Sequence, residues 1–235
     1  MCRGYDAEDR AGLKRVAAIF APLVLYWSLY YQQNTTWVTT ASEMDTSLIA
    51  NTDDVLGAVD DVMVTALVPL FAVWVYPSLR SCCGGGCTPL RKMSFGIAMA
   101  ATAFVAAGLL QRAVDARGDG DGDGSDGDGN PNGLSVAWIL PQFLFISLAE
   151  TLVSVTGLDF AYTQATTRTR GMVQGLWALS QLGSLITALL SFIDIDTLQM
   201  AYFIYAGGMW VFLGVFVVIA VRYKYVYASD EQPAG

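Results

Sequence analysis

Residues 136–170 read VAWILPQFLFISLAETLVSVTGLDFAYTQATTRTR, and between 136 and 163 the only charges are Glu150 and Asp159. A helix that crosses a bilayer needs roughly 20 mainly apolar residues, which this stretch exceeds. At the helical rise, Glu150 lies about 20 Å from either end, near the midplane of a hydrocarbon layer. A carboxylate at that depth costs ~2.5 kcal/mol or much more, so by default it marks a substrate or ion pathway. The stretch reads as a membrane span that carries a functional acid.

Five further stretches qualify or nearly do, at 16–38, 58–79, 93–113, 171–193 and 200–222. The whole chain agrees with them: 54% of its 235 residues are hydrophobic and 14% charged, with a mean hydropathy of +0.45, well to the apolar side of a soluble domain. The expected fold is therefore all-α, an integral membrane bundle of six transmembrane helices. It divides into an N-terminal segment 1–15, three spans within 16–113, a loop at 114–135, three spans within 136–222 and a tail 223–235.

Lysine and arginine cluster in alternate loops, which sets the orientation. Arg3, Arg10, Lys14 and Arg15 precede the first span; Arg80, Arg91 and Lys92 join the second to the third; Arg168 and Arg170 join the fourth to the fifth; Arg222 and Lys224 follow the sixth. The segments 41–57 and 194–199 carry no base. Both termini are expected on the cytoplasmic side, of the plasma membrane or of an internal membrane. Residues 1–15 mix acids with bases and the apolar run after them is too long for a signal-peptide core, so no cleavable leader is expected.

The formal charge is −8, but much of it lies in the tract GDGDGDGSDGDGNPNG at 118–133. Alternating aspartates occur in calcium loops, yet the closing glutamate is missing here, so the tract reads as a solvated, disordered outer loop. There is no histidine, so proton chemistry near neutral pH falls to carboxylates. Cys2, Cys82, Cys83 and Cys87 suggest no disulfide framework. A soft-metal site or acylated thiols are the functional alternatives to a plain Gly/Cys-rich loop at Cys82–Cys87. No nucleophile triad, phosphate loop or metal quartet occurs, so neither an enzyme, a cofactor nor nucleic-acid binding is indicated.

Glu150 either exchanges a proton or holds a substrate ammonium, and the rival is a hydrogen bond made only for helix assembly. Ser154 lies one turn further along the same face. Trp27 falls about 18 Å in from Arg15 and Trp177 about 10 Å in from Arg170; both stand at depths suited to an aromatic wall. Trp37, Trp138 and Trp210 read as interfacial anchors or packing residues. Asp60 and Asp61 open the second span, where first-turn acids suit the helix dipole in the outer interface. Pro69 is expected to break that helix as a hinge. Asp159 is a candidate partner for Arg168 or Arg170.

Several of these segments together resemble the proton-dependent oligopeptide transporter family of the major facilitator superfamily, over its seventh to twelfth helices. The carriers are the run WSLYYQQNTTW at 27–37, LVPLFAVWVYP at 67–77, PQF at 141–143 followed by Glu150, TGLDFAYTQA at 156–165, and the tryptophan in VQGLWALSQLGS at 173–184. The resemblance implies one half of a twelve-helix transporter that imports di- and tripeptides by proton symport. It implies that Glu150 binds the peptide amino terminus and takes part in proton coupling, that Ser154 supports it, and that Trp27 and Trp177 wall the pocket. Asp60 stands where the family commonly has a substrate-binding asparagine. Thr166 stands where it usually has a proline, which is expected to loosen the following loop. The family's E-x-x-E-R motif is not found. The implied partners are peptide, protons, lipid and an N-terminal half. The alternatives are a transport-inactive membrane protein that binds or regulates, and a relative that carries nitrate or another small solute.

Overall fold

The computed structural model describes residues 7–47, 52–78, 88–118, 134–166, 168–190 and 197–225. The cysteine cluster and nearly all of the Asp/Gly tract lie outside the described residues, as does Cys2. Six helices are long and apolar enough to cross a membrane: α1 (Asp9–Ser42), α2 (Val55–Ser78), α3 (Pro89–Arg117), α4 (Val136–Thr163), α5 (Arg170–Leu190) and α6 (Leu198–Arg222). Among the described residues there is no strand beyond an isolated bridge between Asp45 and Ser135.

The helices outrun the apolar windows. Helical geometry begins at Ala7, inside the segment expected to precede the first span, and in α3 it continues to Gly118. Helical hydrogen bonds are satisfied within the segment, so a helix need not stop where the apolar residues do.

Three spans contain a π-helical turn: Gln33–Trp37 in α1, Phe71–Val75 in α2 and Thr151–Val155 in α4. Such turns rotate the faces on either side of them and occur often at functional sites. Pro69 does not break α2 as expected. The helix continues to Ser78, and the missing proline N–H is accommodated beside the π turn that starts at Phe71.

Helices α3 and α4 form the centre, with half or more of each buried, whereas α2 lies at the rim with 22% buried. Helix α3 packs most extensively on α6 and α4, α1 packs on α5 and α6, and α2 packs on α4. Close approach is bought with glycine. A methyl group on Gly96 would lie 2.9 Å from Leu152 Cβ across the α3–α4 crossing, and one on Gly183 would run into the Val24 carbonyl and Trp27 Cβ across the α1–α5 crossing.

Two expectations at the base-rich end are revised. Arg168 pairs with Asp9 at 4.0 Å. Thr166 does not loosen the loop: its hydroxyl donates to Asp9 Oδ1 at 2.6 Å, and the Thr169 amide donates to its carbonyl at 2.9 Å. A hydroxyl at this position supplies a donor that proline lacks, and that donor ties the loop to the start of α1. Trp37 is a packing residue, fully buried with its ring 4.9 Å from Phe143, while Trp138 and Trp210 are exposed.

Candidate functional site

The spacing of Trp27, Tyr30 and Tyr31 puts them on one face of α1, and that of Ser147, Glu150 and Thr151 puts them on one face of α4. The two faces meet Asp60 of α2. Tyr30 brings its phenol oxygen to 2.6 Å from Asp60 Oδ2 and 2.6 Å from Glu150 Oε2. Gln33 Nε2 donates to the same Asp60 oxygen at 3.0 Å. On the other side, Ser147 Oγ lies 2.5 Å from Asp60 Oδ1 and 2.8 Å from the Phe143 carbonyl. The side chains of three helices thus converge on two carboxyl groups.

Asp60 is not the interfacial first-turn acid that the sequence suggested. The helix begins at Thr52, so Asp60 lies two turns inside it, and it is 9% exposed. Its neighbour Asp61 points outward. The run Thr52–Val59 is polar only at its start, and a helix that starts before the apolar window carries its acids deeper.

Glu150 is half-buried. No lysine or arginine among the described residues bonds or pairs with it or with Asp60. Each carboxyl oxygen is 2.6 Å from the same phenol oxygen, so two full charges no more than about 5 Å apart would repel by roughly 3 kcal/mol at an effective dielectric near 20.

The two tryptophans stand behind this cluster. Trp27 is 2% exposed and Trp177 is 7% exposed, and their rings meet edge to face at 6.0 Å. Trp27 also abuts Tyr30 at 5.1 Å, and Gly157 leaves room for the Trp177 ring against α4. Tyr31, half-buried, donates to Gln181 Oε1 on α5 at 2.8 Å. Ser154 lies within the π turn that starts beside Glu150, half-buried and outside the Asp60 cluster.

The structure therefore brings Glu150, Asp60 and Trp27 together through Tyr30, sets Trp177 one layer further back and leaves Ser154 at the edge. Tyr30, Gln33 and Ser147 were missed as site residues. Gln33 and Tyr30 lie in the quoted run 27–37, and Ser147 stands three residues before Glu150, so helical spacing alone could have found it.

The chain matches the sequence model of the POT family over residues 1–192. Peptide transporter PTR2 of Saccharomyces cerevisiae is 31% identical over 182 residues, which is 76% of this chain and 29% of that protein. Peptide transporter 3 of Caenorhabditis elegans is 38% identical over 104 residues, 43% of this chain and 15% of that protein. The crystal structure of an auto-inhibited POT family peptide transporter superposes with a TM-score of 0.75 at 27% identity, covering 96% of this chain and 43% of that one. The POT family transporter PepTSo gives a TM-score of 0.74 at 26% identity over 92% of this chain and 42% of that one. The chain thus spans under a third of those curated relatives' length and under half of the solved transporters.

Proposed function

The chain belongs to the POT family, and from that premise we propose that it forms one wall of a transporter that carries di- and tripeptides across a membrane together with protons. The observation that carries the reading is Glu150: a half-buried acid at mid-span, hydrogen-bonded to Tyr30 at 2.6 Å and unmatched by any cation among the described residues. A peptide ammonium is the complement of such a group, because it supplies the missing charge and up to three donors. Tyr31 donates to Gln181 Oε1 at 2.8 Å, and Trp27 and Trp177 stiffen the aromatic wall behind Tyr30. An anionic cargo such as nitrate meets two acids here, which disfavours it.

Alternating access in this superfamily rocks two halves about a midplane site. In this proposal the second wall is an N-terminal six-helix half, and both termini of the present chain lie in the cytoplasm, a reading that the positive-inside asymmetry supports. The test is uptake of a labelled dipeptide into proteoliposomes under an inward proton gradient, with the chain joined to the N-terminal half of a relative. Uptake that Glu150→Gln abolishes is expected. No uptake and no dipeptide binding by folded protein overturns the proposal in favour of a transport-inactive binding protein.

A further inference from the structure

We infer that Asp60 is a second proton-carrying carboxyl, coupled to Glu150 through the single hydroxyl of Tyr30. Hydrogens decide this. The Tyr30 oxygen makes short contacts with two carboxyl oxygens, and a phenol has one hydrogen to donate. The second contact is a hydrogen bond only when one of the two carboxyls supplies the proton. The Ser147 hydroxyl raises the same question independently. It lies within bonding distance of the Phe143 carbonyl and of Asp60 Oδ1; a carbonyl cannot donate, so filling both contacts takes a hydrogen from Asp60.

Either oxygen of a protonated Asp60 has an acceptor waiting. Oδ1–H meets Ser147 Oγ, whose own hydrogen goes to Phe143. Oδ2–H meets the Tyr30 oxygen, whose own hydrogen goes to Glu150. An ionised Asp60 next to an ionised Glu150 leaves at least two of these contacts without a hydrogen.

The groups that face Asp60 are Tyr30 and Gln33 from α1 and Ser147 and Glu150 from α4. Tyr26 lies behind, stacked on Tyr30 at 6.0 Å, and Asp61 follows on α2 facing outward. None of these is a cation, so a proton is the only positive charge the cluster itself can hold, and it belongs to the pair rather than to one residue.

The transfer balances without any further reactant. The Glu150 Oε2–H bond breaks as a new O–H bond forms on the Tyr30 oxygen, while the phenol's original O–H bond breaks and its proton bonds to Asp60 Oδ2. Glu150 is left as a carboxylate and Asp60 as an acid. Resting on the reading of Glu150 as the amine site, this step lets the site hold a peptide and a proton together: the ammonium neutralises Glu150 while the displaced proton waits on Asp60.

The purified chain in lipid tests this by infrared spectroscopy at neutral pH, with carboxyl-¹³C aspartate used to separate aspartate from glutamate. A protonated-aspartate C=O band is expected, absent from Asp60→Asn, unchanged in Asp61→Asn, and shifted in frequency by Tyr30→Phe and by Ser147→Ala. Should Asp60→Asn fail to fold, the two frequency shifts carry the assignment. No such band, or one that persists in Asp60→Asn, overturns the proposal; a band indifferent to Tyr30→Phe overturns the coupling. Adding dialanine is expected to strengthen the band, because the proton displaced from Glu150 moves onto Asp60. If dialanine neither binds calorimetrically nor alters the spectrum while the band remains, the peptide reading fails and the proton on Asp60 stands.

Discussion

Gly183 lies so close against α1 that a methyl group on it would sit 2.7 Å from Trp27 Cβ. The contact fixes the height and rotation of the tryptophan on which Tyr30 rests. Thr187, one turn on, donates to the Ser28 carbonyl at 2.6 Å and locks the same crossing. Gly183→Ala forces the helices apart, and overpacking of this kind costs about 1–3 kcal/mol. A lower melting temperature is expected in detergent, read by tryptophan fluorescence. Gly175→Ala is the contrast: nothing lies within 4 Å of the added methyl, and the change is expected to be neutral or to stabilise by up to about 1 kcal/mol through helix propensity. Equal melting of the two variants would remove the close approach as an explanation.

At the opposite end from the Asp45 turn, Asp9 is buried and depends on its donors. Thr166 gives it one hydrogen bond and Arg168 an ion pair. Thr166→Val keeps the shape and deletes the donor, which for a buried acceptor costs about 1–3 kcal/mol. Thr166→Ser is expected to melt like the parent. Amide exchange in the first turns of α1 should accelerate in the valine variant alone; unaltered exchange there would show that the loop is held by something else.

Asp45 lies outside the spans and accepts the Ser47 amide at 2.9 Å, which holds its carboxyl below the usual range. Its backbone pairs with Leu134 and Val136, joining the end of α1 to the start of α4. A carboxyl whose folded value is depressed stabilises the turn fully above the unfolded value, about 3.9, and the contribution is lost as pH falls through the folded value. Protection of the Ser47 amide against exchange should therefore decline at acid pH. In Asp45→Asn, which keeps an acceptor without a titrating proton, the protection should be independent of pH over that range.

Much of this architecture is legible before any coordinates. The six spans follow from apolar length alone, and Glu150 stands out because one acid in an apolar run is costly. What stays hidden is phase. The π turn after Glu150 rotates Ser154 by an amount that periodicity cannot reveal, whereas Ser147, in the regular helix before Glu150, was within reach of helical spacing and was passed over. Asp60 was misread because the apolar window starts at the acids, whereas the helix starts at Thr52 and carries them inward. Thr166 was judged by the proline it replaces rather than by the hydrogen it can donate, since its acceptor, Asp9, is distant in sequence and near only in the fold.

The sharpest contrast the site offers is between two tyrosines one turn apart. Tyr26 and Tyr30 stack at 6.0 Å and are both buried, so they differ little in packing. They differ in hydrogen bonding: the Tyr30 hydroxyl joins Asp60 to Glu150, whereas the Tyr26 hydroxyl is buried with no partner among the described residues. Tyr30→Phe removes the atom on which both carboxyls rest, and loss of a hydrogen bond to a charged group costs about 1.5–3 kcal/mol. If Glu150 is the amine site, dipeptide affinity should drop roughly tenfold or more, because Glu150 is then free to turn from the orientation that meets the ammonium. Tyr26→Phe removes a hydroxyl that gains nothing where it is, so affinity should hold and the melting temperature should hold or rise. Calorimetric titration of a dipeptide into both variants decides between an organised site and a generally polar one: equal losses would mean that burial of phenols near the acids, not the bridge between them, sets the affinity.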